Sequence, residues 1–262
     1  MLLTRCFCAD DRNIGLFRRS SGAIRHGTDV SITTKPDDVC SGASSSVPVG
    51  VEQFGDAGPR WLVLRAATST AVVGGLALLV HGRVGPLGID RVLVHGYKAR
   101  ATGIGFRFSR VVTELGSPAA VVAIAAMLAG WVCYRSRDWV AAAALVAAPG
   151  LAGVVETLGK VLVGRPRPMT AALTGEAGNG FPSGHAAGFA ALALIAALMI
   201  VKRRNHRVAV GVAIVASIAM GATRVLVGAH YPTDVVAGIL IGFLAAEMCF
   251  VVARLHRSRR LL

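Results

Sequence analysis

The stretch VVAGILIGFLAAEMCFVVARL, Val235–Leu255, is apolar over 21 residues, about the length an α-helix needs to cross the hydrocarbon core of a bilayer. Five more runs of this character precede it: Trp61–Val80, Ser117–Tyr134, Trp139–Leu158, Ala186–Val201, which is short, and Val208–Val227. One such run is equally a buried helix of a soluble protein. Six of them within about 200 residues leave too little polar surface to cover a water-soluble globule. The sequence therefore predicts an all-α fold, an integral membrane six-helix bundle.

The composition points the same way. Of 262 residues 54% are hydrophobic and only 16% charged, with a mean hydropathy of +0.60, whereas a soluble domain carries about 25% charged residues. Lys and Arg number 28 against 14 Asp and Glu, a net charge of +14. Excess positive charge on so apolar a chain implies an anionic lipid bilayer as its partner, and no nucleic acid. Cys6, Cys8, Cys40, Cys133 and Cys249 have no spacing that suggests a metal cage or a disulfide framework, and they read as free thiols. Arg5, Asp10, Asp11 and Arg12 interrupt the start of the chain, so no cleavable signal peptide is expected there.

Residues 1–59 mix Ser, Gly, Asp and Arg without an apolar period and include the low-complexity run Ser41–Ser46. They are expected to be a disordered cytoplasmic tail, followed by a six-span domain over residues 60–256 and a basic cytoplasmic tail over 257–262. Orientation follows from the short connections. Arg135 and Arg137, then Lys202, Arg203, Arg204 and Arg207, then Arg254, Arg257, Arg259 and Arg260 fall on one side, against Lys160, Arg165, Arg167 and Arg224 on the other. The positive-inside rule then predicts a multi-pass cell-membrane protein with both termini cytoplasmic and the second group outside. The long outer loop 81–116 runs against this with Arg83, Arg91, Lys98, Arg100, Arg107 and Arg110, but long outer loops obey the rule poorly. Its segment with Asp90, Val92, Leu93 and Val94 reads equally as an interfacial helix on anionic headgroups or as solvated loop charge.

Three clusters at the outer helix ends carry chemistry. Lys160 and Arg165-Pro166-Arg167-Pro168 follow the third run, Phe181-Pro182-Ser183-Gly184-His185 opens the fourth, and Thr223-Arg224 with His230-Tyr231-Pro232-Thr233-Asp234 joins the fifth to the sixth. Lys160, Arg167 and Arg224 are three fixed cations, and the planar Arg fork suits phosphate oxygens. Ser183 is a natural helix N-cap, Gly184 lets the backbone come close, and free N–H groups at a helix start favour an anion. Asp234, four residues after His230, can face back to it, fix its tautomer and leave the other nitrogen as nucleophile or base, with His185 available as general acid. Singly, each residue has a plainer reading: Lys160 and Arg165 as snorkelling helix-end residues, Glu156 as an i,i+4 partner of Lys160, each His as a polar cap. Jointly the balance reverses, since Pro182–His185 alone arises by chance at about 1 in 10^5 positions from residue frequencies.

Together the clusters resemble the signature of the type 2 phosphatidic acid phosphatase superfamily, whose membrane lipid phosphatases are related to the vanadium haloperoxidases. Lys160, Arg167 and Pro168 match its first element, Pro182, Ser183, Gly184 and His185 its second, and Arg224, His230 and Asp234 its third. Thr223 departs from the usual Ser but keeps the hydroxyl. The resemblance covers about residues 61–255 and implies a phosphatase that needs neither metal nor other cofactor. In that reading His230 attacks phosphorus to form a phosphohistidine, Asp234 stabilises the cation developing on its ring, and His185 protonates the leaving oxygen. Lys160, Arg167 and Arg224, with Ser183 and the Gly184 N–H, hold the remaining oxygens. The substrate is expected to be a membrane lipid phosphate: polyprenyl diphosphate first, then phosphatidylglycerol phosphate or phosphatidic acid. The alternative is a lipid phosphotransferase or headgroup transferase using the same site. A vanadate-holding haloperoxidase fits less well, because that class is soluble. Cys6 and Arg12 have the spacing of a thiolate phosphatase, but Asp10 and Asp11 would repel phosphate and the loop has no Gly.

Overall fold

The computed structural model describes residues 59–81, 86–95, 103–168, 171 and 177–259. The tail expected over residues 1–59, with Cys6, Cys8, Arg12 and Cys40, lies outside them apart from its last residue, as do residues 260–262 and parts of the outer loop, including Arg83, Lys98 and Arg100. Among the described residues, eight α-helices run in the order α1 (Pro59–Val80), α2 (Gly88–His95), α3 (Ile104–Glu114), α4 (Pro118–Ser136), α5 (Trp139–Val163), α6 (Gly184–Ile200), α7 (His206–Leu226) and α8 (Pro232–Arg259). Among the described residues there is no β-strand, only an isolated bridge between Pro166 and Asn179.

Local chemistry sets the helix ends. Ser117 caps α4, its Oγ accepting the Ala120 N–H at 3.3 Å, with Pro118 following where a missing N–H costs nothing. Asp138 caps α5 through the Ala141 N–H at 3.0 Å. Gly164, at φ 63°, ends α5 in the left-handed conformation that an L side chain resists, and its N–H closes on the Lys160 carbonyl at 3.1 Å.

Five helices, α1, α4, α5, α7 and α8, are long and apolar enough to cross a membrane. The sixth expected span, α6, has 17 residues and at 1.5 Å per residue is about 26 Å long. It is also the central helix. Ala187, Ala191, Leu194 and Ile195 of α6 pack with Ala144, Leu145 and Ala148 of α5 and with Ile241, Ala245 and Ala246 of α8. The outward faces are apolar instead of polar: Val122 and Met127 on α4, Val208, Val212 and Val215 on α7, and Val252 and Leu255 on α8 are exposed. That inversion belongs to a chain solvated by lipid. Inside the apolar zone, Arg65 of α1 and Glu247 of α8 pair at 2.5 Å, each supplying the partner that a charge needs there.

The described residues of the 81–116 connection form two short helices. α2 falls where an interfacial helix was one of two readings, and it is amphipathic, but Asp90 on it is completely buried. α3 is amphipathic as well, with Ile104, Phe108 and Val111 exposed and Ser109 and Thr113 buried. At the opposite end of the bundle, Arg257 on the last turn of α8 bonds Asp138 at 2.6 Å, so the segment from 257 to 259 continues the helix.

Small residues let α6 and α8 touch. A Cβ at Gly238 would collide with the Ser183 carbonyl, and one at Gly242 with the Ala187 carbonyl. This spacing of two glycines four apart is the one that lets membrane helices approach backbone to backbone. Gly242→Val is expected to destabilise the protein by about 1–3 kcal/mol or more, the usual cost of overpacking, read as a lower melting temperature in detergent. Gly211→Val, at a position with open space around it, is the control and should leave the melting temperature within a degree or two of native.

Candidate active site

The α5–α6 connection, the start of α6, and the α7–α8 connection converge at one end of the bundle. The Gly180 N–H donates to the Arg165 carbonyl at 2.7 Å, the Asn179 amide to the Lys160 carbonyl at 2.8 Å, and the Ser183 N–H to the Asp234 carbonyl at 3.0 Å. These bonds bring the three sequence clusters into one site. Lys160, Arg167, Gly184, His185 and His230 line a common cavity of about 1080 Å³, whereas Ser183, Arg224 and Asp234 stand buried beside it.

His230 is 1% exposed. Its Nδ1 lies 2.8 Å from the Gly180 carbonyl oxygen, which can only accept, so Nδ1 carries the proton and Nε2 presents its lone pair. The Arg167 guanidinium donates to that Nε2 at 3.1 Å. The expectation that Asp234 fixes the tautomer is therefore corrected. Asp234 Oδ2 is 3.8 Å from Nδ1, too far for a hydrogen bond but near enough to act through its charge. The carboxylate is occupied elsewhere, accepting the Tyr231 N–H at 3.0 Å on Oδ2 and the Arg165 guanidinium at 2.5 Å on Oδ1.

Burial pushes the His230 imidazole below its ordinary value of 6.5; Asp234 opposes this, and the cations Arg167 and Arg224 add to it. A neutral imidazole whose Nε2 carries a lone pair is the state a nucleophile needs. His185 on α6, with Lys160 and Glu156 from α5, also faces the cavity. In detergent, the His230 resonances in carbon-labelled histidine spectra should titrate with a midpoint below pH 6.5, and Arg167→Gln should move it upward. A midpoint above 6.5 in the native protein would contradict this electrostatic picture.

Ser183 occupies the N-cap position of α6, yet its side chain makes no cap bond, and the buried Oγ has no hydrogen-bond partner among the described residues. It stands available to an incoming acceptor. Gly184 is required by a close approach: a Cβ there would lie 2.7 Å from Glu156 Oε1. Glu156 in turn pairs with Lys160 one turn on, as their spacing predicts. Arg224 on α7 is buried and donates to Thr113 Oγ1 of α3 at 2.8 Å.

Arg165 reverses its sequence reading. Expected to snorkel at a helix end, it is 1% exposed, bonds Asp90 at 2.7 Å, Asp234 at 2.5 Å and Thr233 at 2.7 Å, and stacks on the Tyr231 ring at 4.4 Å. Asp90, Thr113, Thr233 and the Gly180 carbonyl were likewise not singled out as site residues. Their only signal is position: Asp90 and Thr113 lie in the 81–116 connection, Thr233 within the third cluster and Gly180 just before the second, and no local pattern distinguishes them.

The cavity has a second part. From the histidines it extends between α4 and α5, along Val121, Val122 and Ala125 on one side and Gly153, Gly150 and Val146 on the other. From Val146 to Lys160 this spans about 21 Å at helical rise.

Apolar helices of membrane-crossing length, with a trench that ends on cations and histidines, define a multi-pass helical membrane protein with a basic, histidine-lined cavity at one end. Residues 141–258, which hold every residue singled out in the three clusters, match the model of the PAP2 superfamily. A 104-residue segment is 38% identical to the lipid A 1-phosphatase of Rhizobium johnstonii, covering 34% of this chain and 38% of that protein; the match thus spans well under half of the relative's length. The fold resembles that of a transmembrane PAP2-type phosphatidylglycerolphosphate phosphatase from Bacillus subtilis, with a TM-score of 0.64 and 19% identity over 74% of this chain and 96% of the other.

Proposed function

We propose that the protein is a membrane lipid phosphatase that hydrolyses a phosphomonoester or diphosphate through a phosphohistidine. The observation that carries this reading is the two-part cavity, in which the apolar trench between α4 and α5 suits an acyl or prenyl chain and its end at Lys160, Arg167, His185 and His230 suits the phosphate. A water-soluble phosphate ester would have no use for the trench.

In this mechanism, Arg167 moves its donor from His230 Nε2 to a phosphate oxygen, freeing the lone pair for in-line attack. Phosphorus bonds to Nε2 as its bond to the leaving oxygen breaks, and His185 protonates that oxygen. Positive charge appears on the imidazole, where Asp234 stabilises it across 3.8 Å. Water then attacks phosphorus, giving its proton to His185, and the P–N bond breaks to restore neutral His230 and inorganic phosphate. Lys160 exchanges part of its pairing with Glu156 for the phosphate, and Ser183 Oγ with the Gly184 N–H supplies neutral donors at the start of α6.

The names of the two similar proteins widen the substrate panel beyond polyprenyl diphosphate to phosphatidylglycerol phosphate, phosphatidic acid and the 1-phosphate of a glucosamine lipid. We place the site on the extracytoplasmic face, because Arg135, Arg137, Lys202, Arg207 and Arg257 lie at the opposite end of the bundle and positive ends stay inside. A green fluorescent protein fused to the C-terminus should then fluoresce; a fusion that secretes an active periplasmic reporter instead would reverse the orientation.

Purified protein is expected to release inorganic phosphate from at least one panel member, with undiminished rate in excess EDTA. His230→Ala should lower turnover by about 10^3-fold or more while vanadate still binds. Full activity in that variant sinks the assignment, loss of activity on chelation contradicts the metal-free route, and consumption of substrate without phosphate release identifies a transferase.

A further inference from the structure

Asp90 lies outside the region that matches the superfamily model and does not line the cavity, yet both of its carboxylate oxygens are bonded. Its Oδ1 accepts the Thr233 N–H at 3.2 Å, and its Oδ2 accepts Arg165 at 2.7 Å and the Leu87 N–H at 3.0 Å. The Thr233 hydroxyl, 3.0 Å from Oδ2 and 3.1 Å from Oδ1, completes the shell. Asp90 and Arg165 are both buried, and Arg165 bonds Asp234 with its other arm. The order in space is Asp90, Arg165, Asp234, His230.

That order has an electrostatic consequence. Arg165 and Asp234 alone would form a neutral pair, and a neutral pair does little for a positive charge on the imidazole. With Asp90 the row sums to one negative charge, in an interior where charges are poorly screened. The other charged and titratable groups around the cavity are Arg167 before α6, Arg224 from α7, His185 from α6, Glu114 at the end of α3 and the Glu156–Lys160 pair. Arg167 and Arg224 oppose a cationic ring, and Asp234, the member of the row nearest to His230, favours it.

We propose that Asp90 is a positioning residue for the reaction: by neutralising Arg165 it leaves Asp234 its charge, so that the row stabilises the imidazolium formed as His230 takes up phosphorus. The inference rests on the phosphohistidine reading above. It differs from a purely structural role, in which Asp90 would only cap α8 through Thr233 and fasten α2.

The test compares the native protein, Asp90→Asn and the charge-balanced double variant Asp90→Asn/Arg165→Gln, full-length in detergent, using the panel substrate that the native protein hydrolyses fastest. Asp90→Asn is expected to lower kcat about tenfold, the equivalent of one pKa unit, with KM within about twofold. The double variant restores a single negative charge and is expected to recover kcat to within about threefold of native, although the Asp90 carboxylate is still missing. Native kcat in Asp90→Asn overturns the proposal, and so does a double variant no faster than the single one, which is what a structural role predicts. Should Asp90→Asn alone fail to fold, the double variant, in which Asp234 carries the row's single negative charge and still accepts the Tyr231 N–H, decides by itself: near-native kcat supports the proposal and a loss beyond tenfold overturns it. Activity in His230→Ala would defeat the phosphohistidine reading as a whole. An inactive His230→Ala beside a fully active Asp90→Asn defeats this inference alone.

Discussion

A guanidinium with almost no solvent contact cannot stay charged in an apolar bundle unless acids come to it, and Arg165 has drawn two. Its bonds to Asp90 and Asp234, with Thr233 between them, join α2, the connection after α5, and the first turn of α8. Breaking one side of such a buried arrangement costs about 3–5 kcal/mol, because the remaining charge is left uncompensated. The geometry of the site follows from that constraint. Asp234 is held facing His230, the Arg165 carbonyl takes the Gly180 N–H, and the Gly180 carbonyl in turn sets which nitrogen of His230 holds the proton.

Packing supplies the other half of the arrangement. α6 must lie close to α8 for the Ser183 N–H to reach the Asp234 carbonyl, and only Gly238 and Gly242 allow it, since any Cβ would meet backbone. In a membrane this closeness is favourable through dispersion and shape instead of water release. The alanine-rich core around α6 continues the same device. One helix start thus presents an uncapped hydroxyl and the N–H groups of a first helical turn beside the histidines, and it does so on a helix with a largely buried core face.

The cations divide into three kinds by their surroundings. Arg165 is a structural centre, saturated by acids and an aromatic ring. Lys160 and Arg167 line the cavity, with Lys160 balanced in part by Glu156. Arg224 is buried and tied to Thr113 of α3, so the connection from α1 to α4 reaches the site twice, through Asp90 and through Thr113. A loop that reads as a charged connection is in this way part of the machinery's support.

Much of this protein is legible in the chain because the forces concerned are local. Five apolar runs have the length of a bilayer crossing and a sixth is shorter, and helices fall on all six within a few residues, with α6 as short as its run. Lys160, Arg167, Gly184, His185 and His230 could be singled out because their clusters are contiguous and sit at helix ends. What could not be read is the division of labour within those clusters. Arg165 and Arg167 are two arginines each followed by proline, alike by every local rule. One is buried because Asp90 lies 75 residues before it and Asp234 69 residues after it, whereas the other reaches His230. The tautomer of His230 is likewise set by a carbonyl 50 residues away, not by the carboxylate one turn on. Hydropathy and helix-end chemistry act over a few residues and are written in sequence; the fate of a buried charge depends on which distant partner the packing delivers, and only the folded chain decides that.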